Sequence, residues 1–200
     1  MLLRRAPVTA LLLLAIGAMF VLEFLSGGAT DPETLLRLGA NSGPLVAHGE
    51  YWRLVASMFL HIGFVHLLVN GWALYQLGTL FEVWLGSGRL LLVYFAAGIA
   101  GSLASAFLSH ANLSAGASGA IFGVMGALIA FLLRRRSALT AAGRSILGQL
   151  AMWAVINVVL GFTIRGIDNA AHLGGCAAGF LLGLTFRERP AVQPEMGIGP

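Results

Sequence analysis

Residues 116–123 read GASGAIFG, a serine bracketed by glycines inside the longest uncharged run of the chain, Leu90–Leu133. A serine hydroxyl becomes a nucleophile when a base removes its proton, and histidine is the usual base. Two histidines lie in apolar surroundings: His172 in NAAHLGGCAAGFLLG, and His66 in HIGFVHLLVN, where Asn70 follows four residues later. Residues four apart on a helix project from one face, so His66 and Asn70 can donate hydrogen bonds to one point. Ser118 as nucleophile, His172 as general base, and an oxyanion hole of His66, Asn70 and the Ser118 backbone N–H would together support acyl transfer.

Those residues need helices that bring them to one place, and the composition says in what medium. The 200 residues are 58% hydrophobic and only 10% charged, with a mean hydropathy of +0.87. That is the composition of a polytopic membrane protein, not of a soluble domain. Uncharged runs span 6–22, 54–81, 90–133, 145–164 and 169–186. A crossing takes about 20 apolar residues, so the longest run is two crossings and the total is six. The expected helices are 8–26, 58–81, 90–108, 118–133, 146–163 and 169–186, forming a membrane domain over 8–188. A cytoplasmic N-terminus at 1–7 and a disordered Pro/Gly-rich tail at 189–200 flank it.

All twelve cationic residues are arginine. With six crossings, Arg4, Arg5, Arg89, Arg134, Arg135, Arg136, Arg144, Arg187 and Arg189 fall inside, and Arg37, Arg53 and Arg165 outside. The positive-inside rule accounts for this asymmetry and for the net charge of +4, leaving no case for a nucleic-acid partner. MLLRR followed by an apolar body has the shape of a secretory signal, but that body is long and no small-x-small site precedes Asp31, so the expectation is an uncleaved first helix. In the outer loop, DPETLLRLGAN offers Asp31 as N-cap, Pro32 at the first helical position and Gly39 as a stop. It reads as a short amphipathic helix in the outer interface.

Counting from the cytoplasmic ends at about 1.5 Å per residue puts Ser118, His172 and His66 about 22–24 Å up, with Asn70 one turn deeper. In a core of about 30 Å, all four lie some way below the outer surface. A helix that starts at Ser118 obliges the preceding SHANLSAGA to enter the protein as irregular backbone, tolerated at that depth only where protein or a water-filled cavity satisfies it. Gly116 and Gly119 permit the tight path and the close approach of a substrate backbone. The free N–H groups of the helix start favour developing negative charge.

Each feature also has a plainer reading. Serine and glycine in membrane helices usually serve packing, and Gly175, Gly179 and Gly183 form a four-residue stripe suited to it. A lone intramembrane histidine can be a proton relay or ligand. No HExxH appears, and His61 and His66 are wrongly spaced for one helix face, so neither a metal nor a cofactor is expected. His61 reads as an interfacial or loop residue, His48 and His110 as outer-loop residues, and Cys176 as core filler. Asp168 precedes His172 by four residues, but the helix begins near it and its side chain is expected to face the loop.

Together these residues resemble the rhomboid family of intramembrane serine proteases. The shared features are WR at 52–53, HIGFVHLLVN at 61–70, E..LGSGR at 82–89, GASGAIFG at 116–123 and AHLGG at 171–175, in family order across the membrane region. The resemblance implies an all-α, six-transmembrane-helix bundle around a wet cavity that opens outward. It also implies a Ser118–His172 dyad without an aspartate and an oxyanion hole using His66 and Asn70. The family often stacks an aromatic on the catalytic histidine; Phe122 occupies that position, where relatives often carry tyrosine.

The reading that follows is a serine endopeptidase cleaving transmembrane protein substrates near the outer face. The expected setting is the lipid bilayer of a bacterial cytoplasmic membrane, with the site facing outside. Two alternatives are an inactive rhomboid-like protein that binds transmembrane segments and a small transporter with broken helices. Both Ser118 and His172 are present, which argues against the first. The polar groups gather near one face and form no track, which argues against the second. Substrate must come sideways from lipid, and the expected gate lies between the second and fifth helices, with Trp153 as a plug beside Phe162.

Overall fold

The computed structural model describes residues 2–109, 113–164 and 166–187. His110, Arg165 and the tail 189–200 lie outside the described residues. Among the described residues ten helices form: α1 (Leu2–Arg5), α2 (Pro7–Leu25), α3 (Pro32–Leu38), α4 (Gly43–Ala47), α5 (Arg53–Ala56), α6 (Phe64–Leu85), α7 (Ser87–Leu108), α8 (Ser118–Leu133), α9 (Ala141–Thr163) and α10 (Asn169–Gly183). There is no strand among the described residues, only an isolated antiparallel bridge between Asn41 and Ser114.

By length and composition, α2, α7 and α9 are long and apolar enough to cross a membrane, while α8 is apolar but only 16 residues long. The outside of the bundle is apolar: Leu14, Phe24, Val65, Trp72, Phe107, Phe162 and Leu181 are all exposed. Continuous apolar surface on that scale belongs against lipid. The centre is α8, with 13 of its 16 residues buried, against only Gly143 and Leu150 on the peripheral α9. Helix α8 packs most extensively on α10 and α7, whereas α9 rests on α8 and α10.

Small residues set the α8–α10 crossing. A Cβ at Gly175 would overlap the Gly119 carbonyl, one at Gly179 the Gly123 carbonyl, and one at Gly183 the Ala127 carbonyl. Backbone therefore meets backbone along the whole stripe, as small-residue seams allow. Cys176, half-buried, closes the same seam over Gly126.

The second long helix runs over 64–85, not 58–81. Its start is displaced because the chain leaves helical geometry at Gly63, whose φ is +83°, and it runs on to Gly86 at φ +95°. The fifth begins at Ala141, where Thr140 caps Gly143 N–H at 3.3 Å, five residues before the expected start. The sixth stops at Gly183 rather than 186, and the third starts at Ser87 rather than 90.

Two charged residues are structural. Glu82, buried, accepts hydrogen bonds from Val8 N–H (2.9 Å), Thr9 N–H (2.8 Å), Thr9 Oγ1 (2.8 Å) and Ser87 Oγ (2.6 Å). It thereby satisfies the orphan donors at the start of α2 and joins three helices. Glu82 is a clasp inside the bundle and not the interfacial boundary charge it looked like in sequence. Arg53, also buried, donates to Leu36 O (2.5 Å) and Ala40 O (3.2 Å), pairs with Glu50 at 2.7 Å and lies over the Trp52 ring. It holds the outer segment together around α3, which Asp31 caps through Thr34 N–H at 2.8 Å and Gly39 ends at φ +111°. The Thr34 hydrogen bonds hold the Asp31 carboxyl below its ordinary range.

Candidate active site

The segment before α8 is pinned on both sides. Ser114 and Asn41 exchange backbone hydrogen bonds of 2.8 and 2.9 Å, and Gly116 N–H donates to Ser57 O at 2.9 Å. Gly116 takes φ +146°, which L side chains avoid. Ser118 is then the first residue of α8 and is partly exposed, while the residues after it are buried. The first backbone bond of the helix runs from Ile121 N–H to Ala117 O, so the N–H groups ahead of it point out of the helix end beside Ser118.

His172 is held opposite by the α8–α10 crossing. A Cβ at Gly119 would lie 3.4 Å from the Ala171 carbonyl oxygen, so the residues adjoining Ser118 and His172 touch. The His172 imidazole is buried and stacked on Phe122, with ring centroids 4.2 Å apart and planes 6° from parallel. Phe122 stands one turn after Ser118, so α8 supplies both the serine and the platform for the histidine. The Nδ1 of His172 has no hydrogen-bond partner among the described residues.

Asp168 is otherwise engaged. Its Oδ1 accepts Ala171 N–H at 3.0 Å as the N-cap of α10, and its Oδ2 accepts the Ser105 hydroxyl at 2.5 Å. The carboxylate orients the helix start, and neither of these hydrogen bonds goes to the imidazole.

His66 and Asn70 approach from α6. Ile62 N–H donates to His66 Nδ1 at 3.2 Å. A neutral ring that accepts at Nδ1 carries its proton on Nε2. That Nε2 faces Gly116: a Cβ there would sit 3.1 Å from it and 3.8 Å from Ser118 Oγ. His66 and Ser118 thus flank one glycine. Asn70 is buried, and its Nδ2 donates to His66 O at 2.9 Å, which leaves the second amide proton for another acceptor.

The remaining positions combine expected and unexpected features. His61 lies in the loop before α6, as expected, but is fully buried, and its ring lies 5.3 Å from that of His66. Glu23, also fully buried, receives His61 N–H at 3.0 Å. Sequence reading used Glu23 only as the end of an uncharged run. The signal it missed is the general one that an ionisable side chain inside an apolar helix has a task. His48 is exposed on the outer segment, with Nδ1 against Pro44 O at 2.7 Å. Trp153 and Phe162 are exposed on α9, at 49% and 78%. No group of three or more His, Cys, Asp or Glu residues able to hold a metal ion occurs among the described residues.

Comparison with known proteins identifies the family. Residues 48–189 match the rhomboid domain, a span that includes Ser118, His172, His66 and Asn70. The chain is 46% identical over 162 residues to the rhomboid protease GluP of Bacillus subtilis, covering 81% of this chain and 31% of that protein. It is 39% identical to RHOMBOID-like protein 1 of Arabidopsis thaliana (78% of this chain, 40% of the relative). It is 32% identical to Rhomboid-like protease 2 of Toxoplasma gondii (83% and 58%). The chain therefore spans less than two thirds of the length of these relatives. The domain match and the identity to a named rhomboid protease place the chain in the rhomboid family.

Proposed function

We propose that the protein is an intramembrane serine endopeptidase that cleaves transmembrane protein substrates near the outer face of the membrane. The observation that carries this reading is the gathering of three helices around the start of α8: His66 of α6 and Ser118 of α8 flank Gly116, and His172 of α10 stacks on Phe122, one turn after Ser118.

The chemistry follows from those positions. Ser118 Oγ attacks the scissile carbonyl carbon while His172 Nε2 takes its proton. The carbonyl oxygen becomes an oxyanion, stabilised by His66 Nε2–H, the free Asn70 N–H and the backbone N–H at the start of α8. Imidazolium then returns the proton to the leaving amine nitrogen as the C–N bond breaks, giving an acyl-enzyme ester. Water, deprotonated by His172, hydrolyses that ester and regenerates Ser118. His172 performs this without a carboxylate, held in place by Phe122.

Six crossings with both ends cytoplasmic fit the helices. Helices α8 and α10 have only 16 and 15 residues, which suits helices that begin below the outer surface. Being enclosed by its neighbours, α8 does not need a lipid-length apolar exterior. Nine arginines on the cytoplasmic side orient the bundle with the site outward, in the membrane of a bacterial cell.

Labelling with a serine-reactive fluorophosphonate tests the reading. An adduct on Ser118, lost in His172→Ala, is the expected result. Absence of any adduct in folded, membrane-reconstituted protein would point to a non-catalytic binder of transmembrane segments.

A further inference from the structure

Three consecutive backbone N–H groups stand just ahead of α6, and each has a different partner. His61 N–H goes to the Glu23 carboxyl at 3.0 Å, Ile62 N–H to the His66 ring at 3.2 Å, and Gly63 N–H is shared between Ala29 O at 3.0 Å and His61 O at 2.9 Å. Gly63 is the N-cap of α6, so His66 sits at its third helical position and reaches back to the N–H preceding the cap. That is one half of a capping box displaced by one residue, with an imidazole in the place of the usual carboxylate and no return bond, because Gly63 has no side chain.

The middle bond matters for chemistry. An N–H pointed at Nδ1 makes that nitrogen an acceptor, and the proton of the neutral ring must then reside on Nε2, the side facing Gly116 and Ser118. If the 61–63 segment shifted, the ring could take the other tautomer and present a lone pair to a developing oxyanion, a repulsive contact. The segment is fixed from outside by Glu23 and from beside by Ala29. Glu23 is fully buried, and its Oε2 has no hydrogen-bond partner among the described residues, so its engaged oxygen is the one on His61 N–H. The His61 ring supports the same arrangement. Its Nδ1 lies 3.2 Å from Phe59 O, which requires a proton there, and its face leans on His66 at 5.3 Å.

We propose that Glu23 is a positioning residue for catalysis: by accepting the His61 N–H it fixes the segment whose next N–H sets His66 in its Nε2–H tautomer. This rests on reading His66 as an oxyanion donor. It assigns a role in the reaction to a side chain of α2, a helix that contributes nothing else to the site.

The test uses the full chain in detergent, with histidine ring nitrogens labelled with 15N and cleavage of a single-span substrate measured in parallel. Glu23→Gln keeps an acceptor oxygen and is expected to retain turnover within about twofold, with His66 in the Nε2–H form. Glu23→Met, similar in volume but without an acceptor, is expected to lower kcat about tenfold at unchanged KM and to give His66 a mixed tautomer spectrum. A Glu23→Met protein with reduced kcat but an unaltered His66 spectrum would overturn the proposal, leaving Glu23 a packing residue. Glu23→Gln as slow as Glu23→Met would overturn it too, since the acceptor would then not be what matters. If Glu23→Met does not fold, Glu23→Leu and Glu23→Ala, which also lack the acceptor, are read for the same His66 tautomer signal and kcat, with the same expected and overturning results. His66→Ala keeps the two questions apart: unchanged turnover there defeats the oxyanion reading, whatever the tautomer does.

Discussion

The Phe122 ring lies flat on the His172 imidazole, 4.2 Å between centroids and 6° from parallel. With Asp168 occupied by Ala171 N–H and Ser105, and His172 Nδ1 lacking a partner among the described residues, this stack is the principal restraint on the ring. Phe122→Ala should therefore lower kcat on the order of a hundredfold, as a displaced catalytic group does, while KM changes little. Phe122→Tyr keeps the stack and should stay within a few-fold of the parent. Single-turnover cleavage assays measure both, and equal activity in all three proteins would remove the stack from the account.

The α8–α10 seam predicts opposite outcomes for two glycine substitutions. Gly175→Ala puts a methyl into the Gly119 carbonyl, so α10 must back away and carry His172 from Ser118. Activity should fall by at least an order of magnitude, together with the thermal midpoint. Gly148→Ala on α9 meets nothing within 4 Å and should stabilise by up to about 1 kcal/mol through helix propensity alone. Thermal unfolding in detergent compares the pair.

Glu82 should matter for stability more than for chemistry. Glu82→Ala leaves two backbone donors of α2 and two hydroxyls without their acceptor at a buried site. The loss of hydrogen bonds to a charged group points to about 3 kcal/mol or more of destabilisation. Folded protein at low temperature should keep its kcat. A normal melting curve with a slow enzyme would contradict this division of labour.

Helix α9 is fastened to α10 by a polar contact. Asn169 donates to Val158 O at 3.1 Å, and its side chain fills the space over Gly161. Above and below that point α9 buries little, and Trp153 and Phe162 are exposed. If α9 swings aside to admit a transmembrane substrate, Asn169→Ala and Trp153→Ala should both speed cleavage of a membrane-embedded substrate more than that of an unstructured soluble one. Equal effects on the two substrates would make both residues ordinary packing groups.

What the sequence disclosed and what it hid follow from physics. Ser118, His172 and the His66/Asn70 pair stand out because polar residues in apolar runs are conspicuous, and of these the structure brings His66 and Ser118 together across Gly116. The start of α6 was hidden, because the uncharged run 54–81 continues through Gly63 and hydropathy does not record a positive φ. Glu82 and Glu23 looked like boundary charges. Their burial depends on donors from segments dozens of residues away, and hydropathy along one chain carries no trace of such pairings. His61 is the loop histidine the sequence suggests, but its burial was hidden for the same reason: a loop histidine is buried only when other segments cover it. Helix rotation, which decides whether Trp153 plugs a seam or faces lipid, is likewise set by neighbours.

The central claim is that Ser118 and His172 act as one catalytic unit on a peptide bond. Its most direct measurement is cleavage of a reconstituted single-span substrate by Ser118→Ala, His172→Ala and the double variant, all checked for folding by thermal melting. The account predicts folded proteins with no detectable cleavage in either single variant, and a double variant no worse than either, because groups acting as a unit are not additive. Full cleavage by folded Ser118→Ala would contradict it.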